Sequence, residues 1–250
     1  MPQVQALNMK QHRRIQIDTA AARKQTASTR MMPVMLSEFQ KMAIEYPILL
    51  TKNGETGAFV TVGLFGLEDE ENLFWQAGDW EAVYRPLNLR RHPFLIGKND
   101  NKQHADDHDY LLCLDMDNPA VSGKTGEALF DKSGAPTPFL QDMQKVLADL
   151  IAGEVQTQNF IDTLLDLKLV TPISLDITLA NQEHIRAEGM YSIDEDRLNA
   201  LGAETLHDLL QRGYLAPIYA MIISVGQIYA LVQKKNLLVS EPSPWLQNAG

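Results

Sequence analysis

The 250-residue chain holds one cysteine, Cys113. An intrachain disulfide is therefore excluded. Cys113 lies in the apolar run 110–114, so it is expected to pack as a small buried hydrophobe rather than to serve as a nucleophile. One thiol suits a reducing compartment, and no apolar leader follows the basic start of the sequence, so the expected location is the cytoplasm. Long uninterrupted apolar runs are lacking too. The most apolar stretch, 215–232, is interrupted by Pro217, Ser224, Gly226 and Gln227, which reads as a core helix and not as a membrane span. Positive charge is in deficit: 22 Lys and Arg against 32 Asp and Glu give a net charge of −10. That balance excludes a general nucleic-acid binder. Catalytic signatures are missing as well. There is no Gly-x-Ser-x-Gly elbow and no Gly-x-Gly-x-x-Gly after a strand, and Gly123-Lys124-Thr125 lacks the upstream glycine of a phosphate loop. On these grounds no cofactor is expected.

What is present is uneven. Six basic residues (Lys10, Arg13, Arg14, Arg23, Lys24, Arg30) fall in the first 35 positions beside a single acid, Asp18. This basic start is expected to pair with the acidic remainder. Aromatic residues make up only 7% of the chain. Yet positions 72–94 gather Phe74, Trp75, Trp80, Tyr84 and Phe94, together with Arg90, Arg91 and His92. Aromatic and arginine side chains offer large contact area and directional donors, so they dominate where proteins grip partners, and they also build cores. Trp75, Trp80, Tyr84, Arg90, Arg91 and His92 are accordingly the candidate binding residues. If 90 and 91 lie on a strand, at most one of the two arginines faces inward. An exposed one beside Trp80 or Tyr84 would hold a peptide carboxylate or an aromatic ring.

The elements read as α+β, with a sheet-rich first half and a mixed second half. A short helix is expected over 37–45, ended by Tyr46-Pro47. Strands are expected at 48–51 and 58–65 around Asn53-Gly54, and again at 72–76, 81–84, 94–96 and 110–115. Thr137-Pro138 starts a helix to about 151, closed by Gly153, with a second helix over 157–167. Residues 173–179 and 185–191 alternate as two strands around Asn181-Gln182-Glu183. Ser192 and Glu195 form a capping box for a helix over 194–201. Helices at 206–211 and 217–234 follow, and the tail 240–250, with Pro242 and Pro244, reads as mobile.

One cluster has the composition of a metal site. His104, Asp106 and His108 bring imidazole and carboxylate ligands close together, and His104-x-Asp106 has the local spacing of a non-haem iron triad. It sits in a polar, acid-rich loop, which is expected to be solvated surface. No metal is therefore expected, and metal-dependent oxidation centred on His104 and Asp106 stands as the alternative function.

Many spaced segments resemble the SapC family of bacterial proteins. They are HRRIQI at 12–17, EYPI at 45–48, NLF at 72–74, GDW at 78–80, YRP at 84–86 and RRHPF at 90–94. Further on come LCLD at 112–115, ALFDKSG at 128–134, TPFL at 137–140, GMYSID at 189–194 and GYLAPIYA at 213–220. In order they cover roughly positions 8–236, so the resemblance implies one domain over 1–250, with a possible internal boundary near 117–136. The family is named for a surface-layer-associated protein, and its members often neighbour TonB-dependent receptors. The resemblance thus implies a receptor- or surface-associated pathway, and with the aromatic–arginine segment as candidate surface the expected function is a non-catalytic accessory protein that binds a protein or peptide partner. A surface-layer structural or secretion component is a third reading.

Overall fold

The computed structural model describes residues 3–99 and 110–240. His104, Asp106 and His108, and the tail beyond 240, lie outside the described residues. In chain order the first half contains β1 (Val4–Ala6), α1 (Met9–His12), β2 (Gln16–Ile17), α2 (Thr19–Lys24), β3 (Met31–Pro33), a 3-10 turn (Leu36–Glu38), α3 (Phe39–Met42), β4 (Ile48–Lys52) and β5 (Phe59–Leu64). There follow β6 (Trp75–Gln76), β7 (Asp79–Trp80), α4 (Leu87–Arg90), β8 (Phe94–Lys98), β9 (Tyr110–Asp115), β10 (Val121–Ser122) and β11 (Glu127–Ala128). The second half holds α5 (Pro138–Asp166), β12 (Val170–Thr178), β13 (His184–Ile193), α6 (Glu195–Asn199), α7 (Ala203–Gln211), α8 (Leu215–Ser224) and α9 (Gln227–Val239). The fold is α+β, with small antiparallel sheets.

The described chain divides into two units. The first comprises residues 3–27, 77–80, 85–99 and 110–152. Its sheet has the order β1-β9-β8, and β2 pairs with both β10 and β11. Ile17, Leu89, Phe94 and Leu114 are fully buried in it, and Cys113 is buried as expected. Burial pushes the Cys113 thiol pKa up, so the group stays protonated and unreactive. His12 is buried as well, with its Nδ1 3.0 Å from the backbone N of Asn8.

The second unit comprises residues 28–76, 81–84 and 153–240. Its sheet runs β12-β13-β4-β5-β3. Apolar residues Ile48, Leu49 and Leu50 of β4 are fully buried, which is the signature of a central strand covered on both faces. Rings stack edge-on around Tyr46, with Phe74 at 4.6 Å and Phe65 at 5.4 Å between centroids. Helix α8 packs on α3, β4 and β13. Inside this contact the Ser224 hydroxyl accepts from the Ile48 N–H at 2.9 Å. The stretch Leu215–Val239 contains an 18-residue window with a mean hydropathy of 1.8 and is, by length and composition, apolar enough to cross a membrane. It is broken between α8 and α9 at Val225-Gly226.

Several local expectations are corrected. The helix over 37–45 is a 3-10 turn at 36–38 that runs into the four-residue α3. The β4–β5 hairpin is real, but its turn is longer than Asn53-Gly54. Asn53 Oδ1 accepts from the N–H of Glu55 and Thr56, and Gly57, not Gly54, takes the positive φ. Residues 81–84 are not a strand. The backbone N–H groups of Val83 and Tyr84 donate to the Glu45 carboxylate at 3.0 and 3.1 Å, so side chains replace the ladder. Helix α5 does not end at Gly153. A Cβ there would sit 2.9 Å from Met35 Cβ, so this glycine serves close packing and not termination. Helix α6 is capped by Asp194, whose carboxylate accepts from the Arg197 N–H, while Ser192 is buried in β13. The proposed helix over 217–234 is two helices, α8 and α9.

Candidate functional site

The aromatic–arginine segment parts into separate surroundings. Phe74 and Phe94 are core side chains. Trp75, Trp80 and Tyr84 are half-buried, and Val83 between the last two is 97% exposed. Trp75 and Tyr84 belong to the second unit and Trp80 to the first. Tyr84 is tied down at every polar atom. Its hydroxyl donates to buried Glu38 at 2.9 Å, its carbonyl accepts from the Tyr46 hydroxyl, and Lys41 Nζ lies 5.5 Å from its ring.

Beyond Tyr84 the chain does not form the strand that would alternate Arg90 and Arg91. Pro86, with ψ at 147°, starts the short helix α4, in which Leu87 and Leu89 are buried. Arg91 caps its end. Its Nε donates to Asn88 Oδ1 at 2.9 Å and its Nη1 to the Phe94 carbonyl at 3.1 Å, so this guanidinium stitches α4 to β8. Burial pulls its pKa down. The His92–Pro93 peptide that follows is cis.

Arg90 and His92, by contrast, line a cavity of about 160 Å³ in the first unit, together with Arg23 and Arg85. Ile17, Ala22, Phe139 and Met143 supply its apolar walls. Helix α2 contributes Arg23 and Ala22, and α5 contributes Phe139 and Met143. Three cations thus share one small opening. Two are partly neutralised: Arg23 lies 3.9 Å from Asp79, and Arg90 lies 3.3 Å from Asp142. Both carboxylates are more than half exposed, and water weakens such pairs. Arg85 makes no ion pair among the described residues. Its Nη2 donates to the Leu89 carbonyl at 3.3 Å, and its buried Nε has no acceptor. Burial and the neighbouring Arg23, opposed by Asp79, pull its pKa down to about 10, so it remains charged at neutral pH. His92 is pushed to about 4 by burial first, then by Arg91 and Arg85, and is neutral at pH 7.

The arrangement is suited to holding an anion. A guanidinium with an unmet buried N–H is a donor waiting for an oxygen, and apolar walls strengthen the attraction by excluding water. Of the six candidate residues, the structure brings Arg90 and His92 to this cavity. Sequence reasoning missed Arg23, Arg85 and Phe139. Arg85 was within reach, inside the Tyr84-Arg85-Pro86 segment of the resemblance. Arg23 and Phe139 arrive from α2 and α5, and no local pattern joins them to it. Among the described residues no group of three or more His, Cys, Asp or Glu side chains could hold a metal.

Comparison with known proteins adds one finding. Residues 7–231 match the family model described as SapC. Comparisons with curated proteins and with solved structures return no match.

Proposed function

The chain belongs to the SapC family, and on that premise we propose that it is a non-catalytic accessory protein. Its partner is a protein or peptide in a receptor- or surface-associated bacterial pathway. The observation that carries this reading is the cavity of Arg23, Arg85 and Arg90, with the buried Nε of Arg85 unpaired. Buried donors are nearly always satisfied in a finished fold, so an unmet one on a residue that lines a cavity supports an acceptor from outside. The half-buried Trp80 of the same unit, on β7 beside α2, supplies the adjoining contact area. We infer that α8 packs in the protein core and not in a bilayer, because the Ser224 hydroxyl accepts from the β4 N–H of Ile48 there.

The test is co-purification of the full chain with the products of its neighbouring genes. Arg90→Glu is expected to abolish capture. Lys132→Glu, an exposed control in the same unit, is expected to retain it. Equal capture by both variants would remove the arginine cavity from the function.

A further inference from the structure

We infer that the cavity of Arg23, Arg85 and Arg90 takes a single carboxylate borne on a small apolar group. The organic acid is either free or the C-terminus of a peptide. This rests on the binding-protein reading only where it names a peptide as the source.

Charge is the first part of the argument. Three guanidiniums line one opening, and among the described residues the carboxylates paired with them are Asp79, with Arg23, and Asp142, with Arg90. Arg85 is left with its buried Nε N–H unmet and one long bond to the Leu89 carbonyl. A carboxylate accepts from the planar guanidinium fork through two oxygens, which is the geometry this group lacks here. The second part is the walls. Ile17, Phe139 and Met143 offer no hydrogen bonds. An inorganic anion would lose hydration against them without return. An acid with an apolar stem gives its charge to the arginines and its stem to the walls. Size is the third part. About 160 Å³ is close to the volume of roughly 150 Å³ that holds one benzene ring. Benzoate, or a terminal leucine or phenylalanine, matches both halves.

The experiment is calorimetric titration of the full chain with benzoate, benzamide, inorganic phosphate, N-acetylphenylalanine and its C-terminal amide. Benzoate and N-acetylphenylalanine are expected to bind saturably, and the two neutral amides are not. Arg85→Met is expected to weaken benzoate about tenfold or more, the effect of losing a charge-assisted bond. Arg23→Gln, at a side chain 40% exposed, is expected to weaken it severalfold with an unchanged melting temperature, so a folding defect cannot imitate the result. The inference is overturned if benzoate fails to bind the wild type, or if benzamide binds equally well. It is also overturned if phosphate displaces benzoate at equal concentration. Tighter binding of N-acetylphenylalanine than of benzoate supports the peptide source, and the reverse order supports the free acid. Loss of partner capture in Arg85→Met without any benzoate binding would leave the accessory-protein reading standing and sink the ligand class alone.

Discussion

Lys235 in the second unit and Arg85 in the first are both cations drawn partly out of water, and their neighbours are opposite in sign. Lys235 Nζ lies 2.5 Å from Glu68 and 2.6 Å from Glu71, with its side chain only 12% exposed. Burial lowers its pKa, but the hydrogen bonds and charges of the two glutamates more than offset this, and the net shift is upward. Glu71 in turn accepts from the Leu67 N–H at 2.8 Å, and every group in the cluster is satisfied. Arg85 has arginines where Lys235 has glutamates, an unmet donor, and a pKa driven down. One cluster is finished by the fold. The other keeps a buried donor that no described residue meets. A buried cation with its carboxylates present is a structural device, and one without them marks a site.

The contrast predicts a graded series of effects. The largest belongs to Lys235→Met, which leaves Glu71 without its cation. A loss of about 2 kcal/mol is expected in urea melts, less than for a fully buried pair because Glu68 is half exposed. Next is pH. His92 has a folded pKa near 4 against an ordinary 6.5, so its contribution is complete above about 6.5 and is lost as pH falls towards 4. The groups that set this are the burial of the ring and the charges of Arg91 and Arg85, with Arg23 and Arg90 on the same cavity. His92→Gln is expected to flatten the stability profile between pH 6.5 and 4, measured as denaturation midpoint against pH. The smallest effect is Arg85→Met in the absence of ligand. Removing a cation that makes no ion pair among the described residues should change stability by no more than about 0.5 kcal/mol, with a gain favoured at low salt. A loss comparable to that of Lys235→Met would show that Arg85 is a structural group like its counterpart.

The same contrast sets what sequence can disclose. Hairpins were legible where alternation and turn residues agree, as at β12–β13 around Gln182, which takes a φ of 70°. The resemblance was legible over almost the whole chain, and the family match follows it. Helix α5 misled because glycine is a local stop signal, whereas at Gly153 tertiary packing against Met35 decides. Residues 81–84 misled because their backbone partners, Glu45 and Tyr46, lie nearly forty positions upstream. Nothing near Glu68 and Glu71 in the sequence announces their cation, Lys235 from α9. Of the cavity, Arg90 and His92 were visible as members of a local cluster. The identity of Arg85 as its centre was not, because an unmet hydrogen bond is a property of three dimensions.

The most direct test compares thermal melts of wild type, Lys235→Met and Arg85→Met, each with and without benzoate. At a concentration about a hundredfold above the dissociation constant, a ligand that binds only the folded state adds about 2.7 kcal/mol. The account predicts the same benzoate-induced rise in melting temperature for wild type and Lys235→Met, and a rise no more than about half as large for Arg85→Met. An equal rise in all three proteins would contradict it.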